Sequence, residues 1–418
     1  MSSSRNIDFW RVLLPTAWHE TPLSMSFSTL IELEKCPRRW VLTNAEYSNL
    51  WNNQGYPSLL QPSALEGTIV HLSLQKVTGA LVENGCPSLA DESAILTLRQ
   101  LGGYSAIIIN NLERVLLPYR ENPRAAPVLD QIRTRLTARV PELRMKVQRF
   151  LAHIRLEPRA VMQREAKIHP KDEFRSALQH GSYTEVLLQV PELGWRGFAD
   201  IITLSATQCE IRDFKTGAPK EEHKDQLLIY ALLWARDAVL NPSGRLANKL
   251  VLSYSNSDVE IPSPEATEIK SHEEKVKKRT AAVIADLQTG SPPARTNLEN
   301  CIYCAVRHLC EEYWLWLMRQ YPKSELVEGR NVDIQIKLSR QHGPSSWDGE
   351  VEFGPTFKSG EPILLRTVNL AFDLRPGQRL RLLNVQVSIP SEEEDANNRH
   401  RLIVATMGAR TEAFVYNQ

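Results

Sequence analysis

Long apolar runs are missing: nothing in the 418 residues approaches the roughly 18 consecutive apolar positions that a membrane-spanning helix needs. The N-terminal stretch also lacks a basic region followed by a continuous apolar core and a small-residue cleavage site. The expectation is therefore an intracellular, cytoplasmic protein with no membrane partner. Cysteine is scarce. Six in a chain of this length exclude a disulfide scaffold and turn attention to how they are spaced. A surplus of charge of either sign is absent too. A formal net charge of +1 gives no global electrostatic argument for a polyanionic partner, although a basic channel can coexist with an acidic remainder. There is no internal repeat at a fixed long period. What is present, 42% hydrophobic and 24% charged residues, is the composition of a globular protein long enough for two or three domains.

Residues 1–25 read as a loosely structured lead. Ser26 or Ser28 then offers a helix cap, and the helix should stop near Cys36-Pro37. Gly67-Thr-Ile-Val-His71 leads into apolar residues at helical spacing, and residues 90–155, rich in Leu, Arg and Glu, form a helical insertion. From about residue 160 the pattern becomes strand-like. Val161–Ile168, Thr184–Val190, Gly197–Thr203 and Cys209–Lys215 are successive short strands, followed by a helix carrying Gln226 and Tyr230. A boundary near Tyr321-Pro322 ends a Trp-rich helix. Beyond it, period-two alternation from Val332 onward predicts a small all-β domain over residues 326–418, with Glu392–Asp395 as a solvated loop.

Asp213 and Lys215 lie two apart on a strand and so emerge on one face, and Asp200 sits near the end of the preceding strand. Such a group suits phosphodiester hydrolysis, in which divalent cations held by hard carboxylate oxygens neutralise charge and activate water while a lysine assists. Alone, Asp-x-Lys is more often an exposed strand edge running into a turn. Here it has company. Gly197-Phe-Ala-Asp200-Ile-Ile, Ile211-Arg-Asp213-Phe-Lys215-Thr-Gly217 and Asp225-Gln226-Leu-Leu-Ile-Tyr230 together resemble the PD-(D/E)XK nuclease core of the RecB, AddB and CRISPR-associated RecB-type enzymes.

The resemblance covers about residues 26–320 and implies a restriction-endonuclease-like α/β core, a mixed sheet flanked by helices, over residues 26–322. It implies Asp200, Asp213 and Lys215 as the catalytic set, with Gln226 and Tyr230 on one helix face beside them. It also implies His71, in Gly67-Thr-Ile-Val-His71, as a ligand with Asp200 and Asp213 for Mg2+ or Mn2+. Glu165 stands as an additional acid on the first core strand. The implied substrate is DNA, single-stranded or with free ends, cut by an exonuclease or end-processing enzyme in repair, CRISPR adaptation or phage defence. No Gly-x4-Gly-Lys-Ser/Thr loop is present, so a helicase or a larger defence or repair complex would be a separate partner.

Cys301-Ile-Tyr-Cys304-Ala-Val-Arg-His-Leu-Cys310, with Cys36 far upstream, supplies four thiols for zinc or an iron–sulfur cluster, which spacing does not separate. In the AddB and CRISPR-associated relatives an early Cys and a late Cys-x2-Cys-x5-Cys hold a [4Fe-4S] cluster, and the Cys36-Pro37-Arg38-Arg39-Trp40 segment resembles theirs. The resemblance therefore implies that cluster. Cys86 and Cys209 stay outside it. Residues 326–418 resemble an OB-like barrel, with Arg379, Arg381, Trp347 and Phe353 as candidate contacts to single strands, or else a β domain for protein contacts. The alternative to an enzyme is a non-cleaving iron–sulfur DNA-binding subunit.

Overall fold

A computed structural model describes the chain except residues 1–7, 16–17, 48–49, 52–54, 160–174, 321–330, 356, 369, 371–372, 389–401 and 417–418. The expected strand Val161–Ile168, with Glu165, lies outside the described residues, as do the Tyr321-Pro322 boundary and the Glu392–Asp395 run. Two compact units emerge. One comprises residues 21–32 and 59–285, the other residues 1–20, 33–58 and 286–418. Among the described residues no helix is long and apolar enough to cross a membrane.

The chain enters its first helices through caps that the sequence supplies. The Ser26 hydroxyl accepts from the Thr29 amide at 3.2 Å to open α1 (Phe27–Lys35), and Cys36 caps α2 (Pro37–Asn44), whose first residue is a proline that needs no partner for a missing N–H. The long α3 (Pro62–Glu83) follows. It shares a core with α4 (Glu92–Gln100), α5 (Gly103–Leu116), α6 (Leu129–Ala138) and α7 (Val140–Ala152), built from residues such as Leu74, Ile108, Leu136 and Phe150. Ile201 and Phe214 enter the same core, so this helical layer is seated on the sheet rather than standing apart from it.

That sheet runs β1 (Gly181–Val190), β2 (Trp195–Leu204), β3 (Cys209–Lys215), β4 (Lys249–Tyr254), β5 (Asp258–Ile261), in sequence order. Only β3 and β4 are parallel, joined through α8 (Glu221–Arg236), which packs across β1 to β4; α9 (Ala266–Leu287) comes after. This is the expected mixed sheet flanked by helices, with β4 and β5 added. Leu250-Val-Leu-Ser is buried throughout, so its strand shows no alternation to read from sequence.

The second unit carries α10 (Leu298–Cys301), α11 (Glu311–Gln320) and the C-terminal strands β6 (Asn331–Gly343), β7 (Ser346–Phe353), β8 (Pro362–Arg366), β9 (Arg379–Ser388), β10 (Ile403–Thr406) and β11 (Glu412–Val415). They pair in the order β10-β8-β7-β6-β9-β11, and β9 also pairs with β10, which closes a five-strand barrel with β11 laid on β9. Closure removes the exposed edges that an open sheet of this size would leave. The inside is filled by Ile334, Ile336, Leu338, Val351, Leu365, Leu380, Leu382 and their neighbours. The lead is not wholly loose. Phe9 is buried against Trp10, Tyr56 and Phe414, and the Val12 amide donates to the Val415 carbonyl at 2.8 Å.

Candidate active site

Register alone assembles three acids. In the β1–β2 ladder Thr184 faces Ile201 and Val186 faces Ala199, so Glu185 stands opposite Asp200 at the one position that the ladder skips. In the β2–β3 ladder Ile201 faces Arg212, and one step further brings Asp200 opposite Asp213. Glu185, Asp200 and Asp213 thus form one row across three strands. Glu185 takes a positive φ of 53°, a costly conformation for a side chain with a Cβ and one seen mostly at functional sites. Like charges directly opposite in a ladder repel, so the row calls for a positive partner.

His71, from α3, provides one. Its Nε2 lies 2.9 Å from Asp200 Oδ1, while the other Asp200 oxygen accepts from the Phe214 amide at 2.5 Å. The ligand atoms of His71, Glu185 and Asp200 all fall within 4.8 Å of one another, the spacing of a cation site. The Asp200 hydrogen bond raises the His71 pKa to about 9, against the effect of burial. Burial, reinforced by Asp200, lifts Glu185 to about 7; a hydrogen bond with Gln75, one helical turn beyond His71, works against it. Asp213, 3% exposed, is likewise lifted to about 7 by burial and then by Asp200, with Lys215 opposing. Acids in this condition bind a proton or a cation, and a divalent ion satisfies several at once.

Lys215 is aimed rather than free. Its Nζ pairs with the Asp213 carboxylate and donates to Gln226 Oε1 at 2.6 Å, and Gln226 Nε2 reaches the Tyr230 hydroxyl at 2.7 Å. The i, i+4 spacing of Gln226 and Tyr230 on α8 makes that chain of contacts possible. Gly197 gives it room: a Cβ there would lie 2.8 Å from the Tyr230 ring. Sequence reasoning names His71, Asp200, Asp213, Lys215, Gln226 and Tyr230, and the structure brings these together. Glu185 it misses. A Glu within Thr184–Val190 looks like any solvent-side strand residue, and only the register sets it opposite Asp200.

The four cysteines of the other unit also converge. Cys36, Cys301, Cys304 and Cys310 are buried and line one narrow cavity with Arg38, Arg39, Arg307 and Tyr313. Cys36 Sγ accepts from the Arg39 amide at 3.4 Å, and Cys310 precedes α11, taking the Tyr313 amide on its carbonyl at 3.1 Å. Burial pushes the Cys304 thiol up to about 11 and raises Cys301 and Cys310 as well, while nearby arginines oppose. Cys86 and Cys209 are buried elsewhere, in the first unit.

Two of the four barrel residues expected as single-strand contacts, Arg381 and Trp347, are corrected. Arg381 is 1% exposed, donating to Gln335 Oε1, the His308 carbonyl and Glu311, with its guanidinium over the Tyr416 ring. Trp347 is 7% exposed and packs in the barrel core. Phe353 is half-buried against the core that contains the cysteines, and Arg379 is ion-paired with Glu352 at 2.7 Å. Burying the apolar and paired groups of a small barrel has taken Arg381 and Trp347 out of reach of a nucleic acid, while Phe353 and Arg379 stay partly exposed.

Acids from the middle of β1 and β2 and the end of β3, a histidine from α3 and a steered lysine together form a group suited to a divalent cation and a phosphodiester, and Asp200 lies in mid-strand rather than near a strand end as expected. A sequence model of the PD-(D/E)XK nuclease superfamily matches residues 24–311, and the chain belongs to that superfamily. No curated protein matches it. Among solved structures, the crystal structure of SSO0001 aligns at 26% identity and a TM-score of 0.20 over 31% of this chain. The aligned part spans 59% of that protein's length.

Proposed function

We propose that this protein is a Mg2+- or Mn2+-dependent DNA nuclease working at DNA ends, with a [4Fe-4S] cluster bound by Cys36, Cys301, Cys304 and Cys310. The observation that carries the nuclease reading is the row of Glu185, Asp200 and Asp213 beside a lysine held by Gln226. His71, Glu185, Asp200 and Asp213 would hold the cation, which when bound neutralises charge on the scissile phosphate and eases deprotonation of water. Lys215 directs its Nζ–H at the attacking water or a phosphate oxygen. Gln226, anchored by Tyr230, fixes that direction, and Gln75 holds Glu185. The preference for ends rests on the likeness of these motifs to the RecB and AddB class.

The choice of the cluster over zinc rests on the likeness of Cys36 and the Cys301-x2-Cys304-x5-Cys310 spacing to the AddB class. Arg38, Arg39 and Arg307 around the cavity suit the net negative charge of four thiolates on a cluster, and would equally suit four thiolates on zinc. The barrel braces this cysteine loop: Asp333 of β6 takes the Arg307 guanidinium at 2.5 Å and the Tyr313 hydroxyl at 2.8 Å.

The test is end-labelled single- and double-stranded DNA incubated with cluster-loaded protein. Cleavage with Mn2+ or Mg2+, abolished by chelation, is expected. Asp213→Asn and Lys215→Ala should each lower the rate at least about a hundredfold, the scale on which loss of one group that stabilises developing charge acts. A holoprotein that binds DNA and never cuts it would instead be the non-cleaving iron–sulfur subunit.

A further inference from the structure

The helical layer contains a concentrated basic segment. Between Gln131 and Arg155 there are seven Lys or Arg and one Glu, in a chain whose overall balance is +1. Part of that charge stands beside the catalytic lysine. On α7, Lys146 and Arg149 are three apart and share a face. Lys146 Nζ donates to the Thr216 carbonyl at 3.1 Å, immediately after Lys215, and Arg149 reaches Asn256 at 3.5 Å, just past the end of β4. In the parallel β3–β4 pair Lys215 faces Tyr254, so both contacts fall at the C-terminal ends of neighbouring parallel strands, where open α/β sheets bind their ligands. Lys220 adds a cation where α8 begins, and His223, which bonds the Tyr254 hydroxyl at 2.9 Å, has its pKa lowered by burial and then by Lys215 and Lys220. Glu221, an acid at this rim, is engaged by Lys224 at 3.0 Å.

We infer that Lys146 and Arg149 of α7, with the β3 and β4 C-terminal ends beneath them, form a track for the phosphate backbone of the DNA strand as it leaves Asp213 and Lys215. The inference rests on the nuclease reading, and under it the helical layer adds cations beside the acidic centre, beyond His71 and Lys215 within it. The contacts are to phosphates, so they carry affinity and salt dependence, not base preference.

Arg144 supplies an internal control. At 100° per residue it points about 140° away from Arg149 and 160° from Lys146, yet its removal changes net charge equally. Binding of fluorescent single- and double-stranded oligonucleotides would be followed by anisotropy over a range of salt, with Ca2+ in place of Mn2+ and the full chain. Lys146→Ala and Arg149→Ala should each raise Kd several-fold and flatten the log–log salt slope by roughly 0.7 to 0.9, the value of one lost phosphate contact. Arg144→Ala should do neither, and Lys146→Arg should restore the slope. Thermal melting and Mn2+ binding of each variant show that it is folded. If wild-type protein cleaves DNA while the four variants titrate alike, the track is wrong and the nuclease stands. If wild-type protein binds DNA with this pattern of variants yet never cleaves, the track stands and the nuclease reading falls. Absence of any DNA binding overturns both.

Discussion

His71 shows how one hydrogen bond sets a pH dependence. Metal-free, it holds its proton up to about 9 because Asp200 accepts from it, and that proton must leave before Nε2 can act as a ligand. Glu185 and Asp213, lifted to about 7, also release protons when an ion arrives. The sign is the same for all three: protons compete, so Mn2+ affinity should climb steeply as pH rises toward 7 and continue to climb toward 9. Titration calorimetry in buffers of different ionisation heat should show protons released on binding. His71→Gln should weaken binding and remove the upper part of the climb; an unchanged profile in that variant would exclude His71 as a ligand. The residues legible in the sequence are those whose type is rare in its context: a His after Gly-x-x-x, an Asp-x-Lys closing a strand, a Gln and Tyr one turn apart. Glu185 has an ordinary type in an ordinary place. Its role comes from pairing with a strand some fifteen positions on, which no local pattern encodes.

At the level of elements, the join between α11, the turn before it and β6 depends on one buried ion pair. Arg307 and Asp333 are both buried, Tyr313 donates to the same carboxylate, and the Asn384 amide donates to its other oxygen at 2.8 Å, where Asn384 takes a positive φ of 56°. Removing one partner strands a buried charge. Asp333→Ala should therefore cost about 3–5 kcal/mol, and Tyr313→Phe, which removes one hydrogen bond to a charged group, about 1.5–3 kcal/mol. Urea unfolding curves of the purified variants check the order; an Asp333→Ala protein as stable as the parent would mean that water reaches Arg307. This network also explains where sequence reading fails. Basic residues on the strands of a small barrel look like surface, and Arg381 looks like one of them. Its partners, His308 and Glu311, belong to a segment far earlier in the chain, and tertiary packing draws the guanidinium inside. Strand β7 is hidden in the sequence for a different reason: Ser346-Trp-Asp-Gly-Glu opens on turn-forming residues, and its pairing with β6 runs through three irregularities of register.

For the whole molecule, the division into units decides what the cysteines stabilise. Their positions in the chain, at the two ends of the nuclease region, suggest a clasp around the nuclease core. In the structure Cys36, Cys301, Cys304 and Cys310 all belong to the unit that holds the barrel, and the last three share a core with Leu383 and Phe414 of the barrel strands. The acids and Lys215 belong to the other unit. A cluster there closes a loop that contains nearly all of the first unit, and binding free energy of that kind appears as folding free energy of the unit that supplies the ligands. Cys310→Ser should accordingly lose iron and the brown colour. It should speed amide exchange and proteolysis first in α11 and strands β6 to β11, while β1 to β5 keep their protection and Mn2+ still binds at His71, Glu185 and Asp200. Cys86→Ser and Cys209→Ser should leave the iron in place, because neither thiol lines the cavity. Exchange mass spectrometry and iron analysis on the same samples read both effects. Equal loss of protection in both units would mean that the molecule unfolds as one body, and one zinc per chain with no iron would retain the brace and remove the cluster.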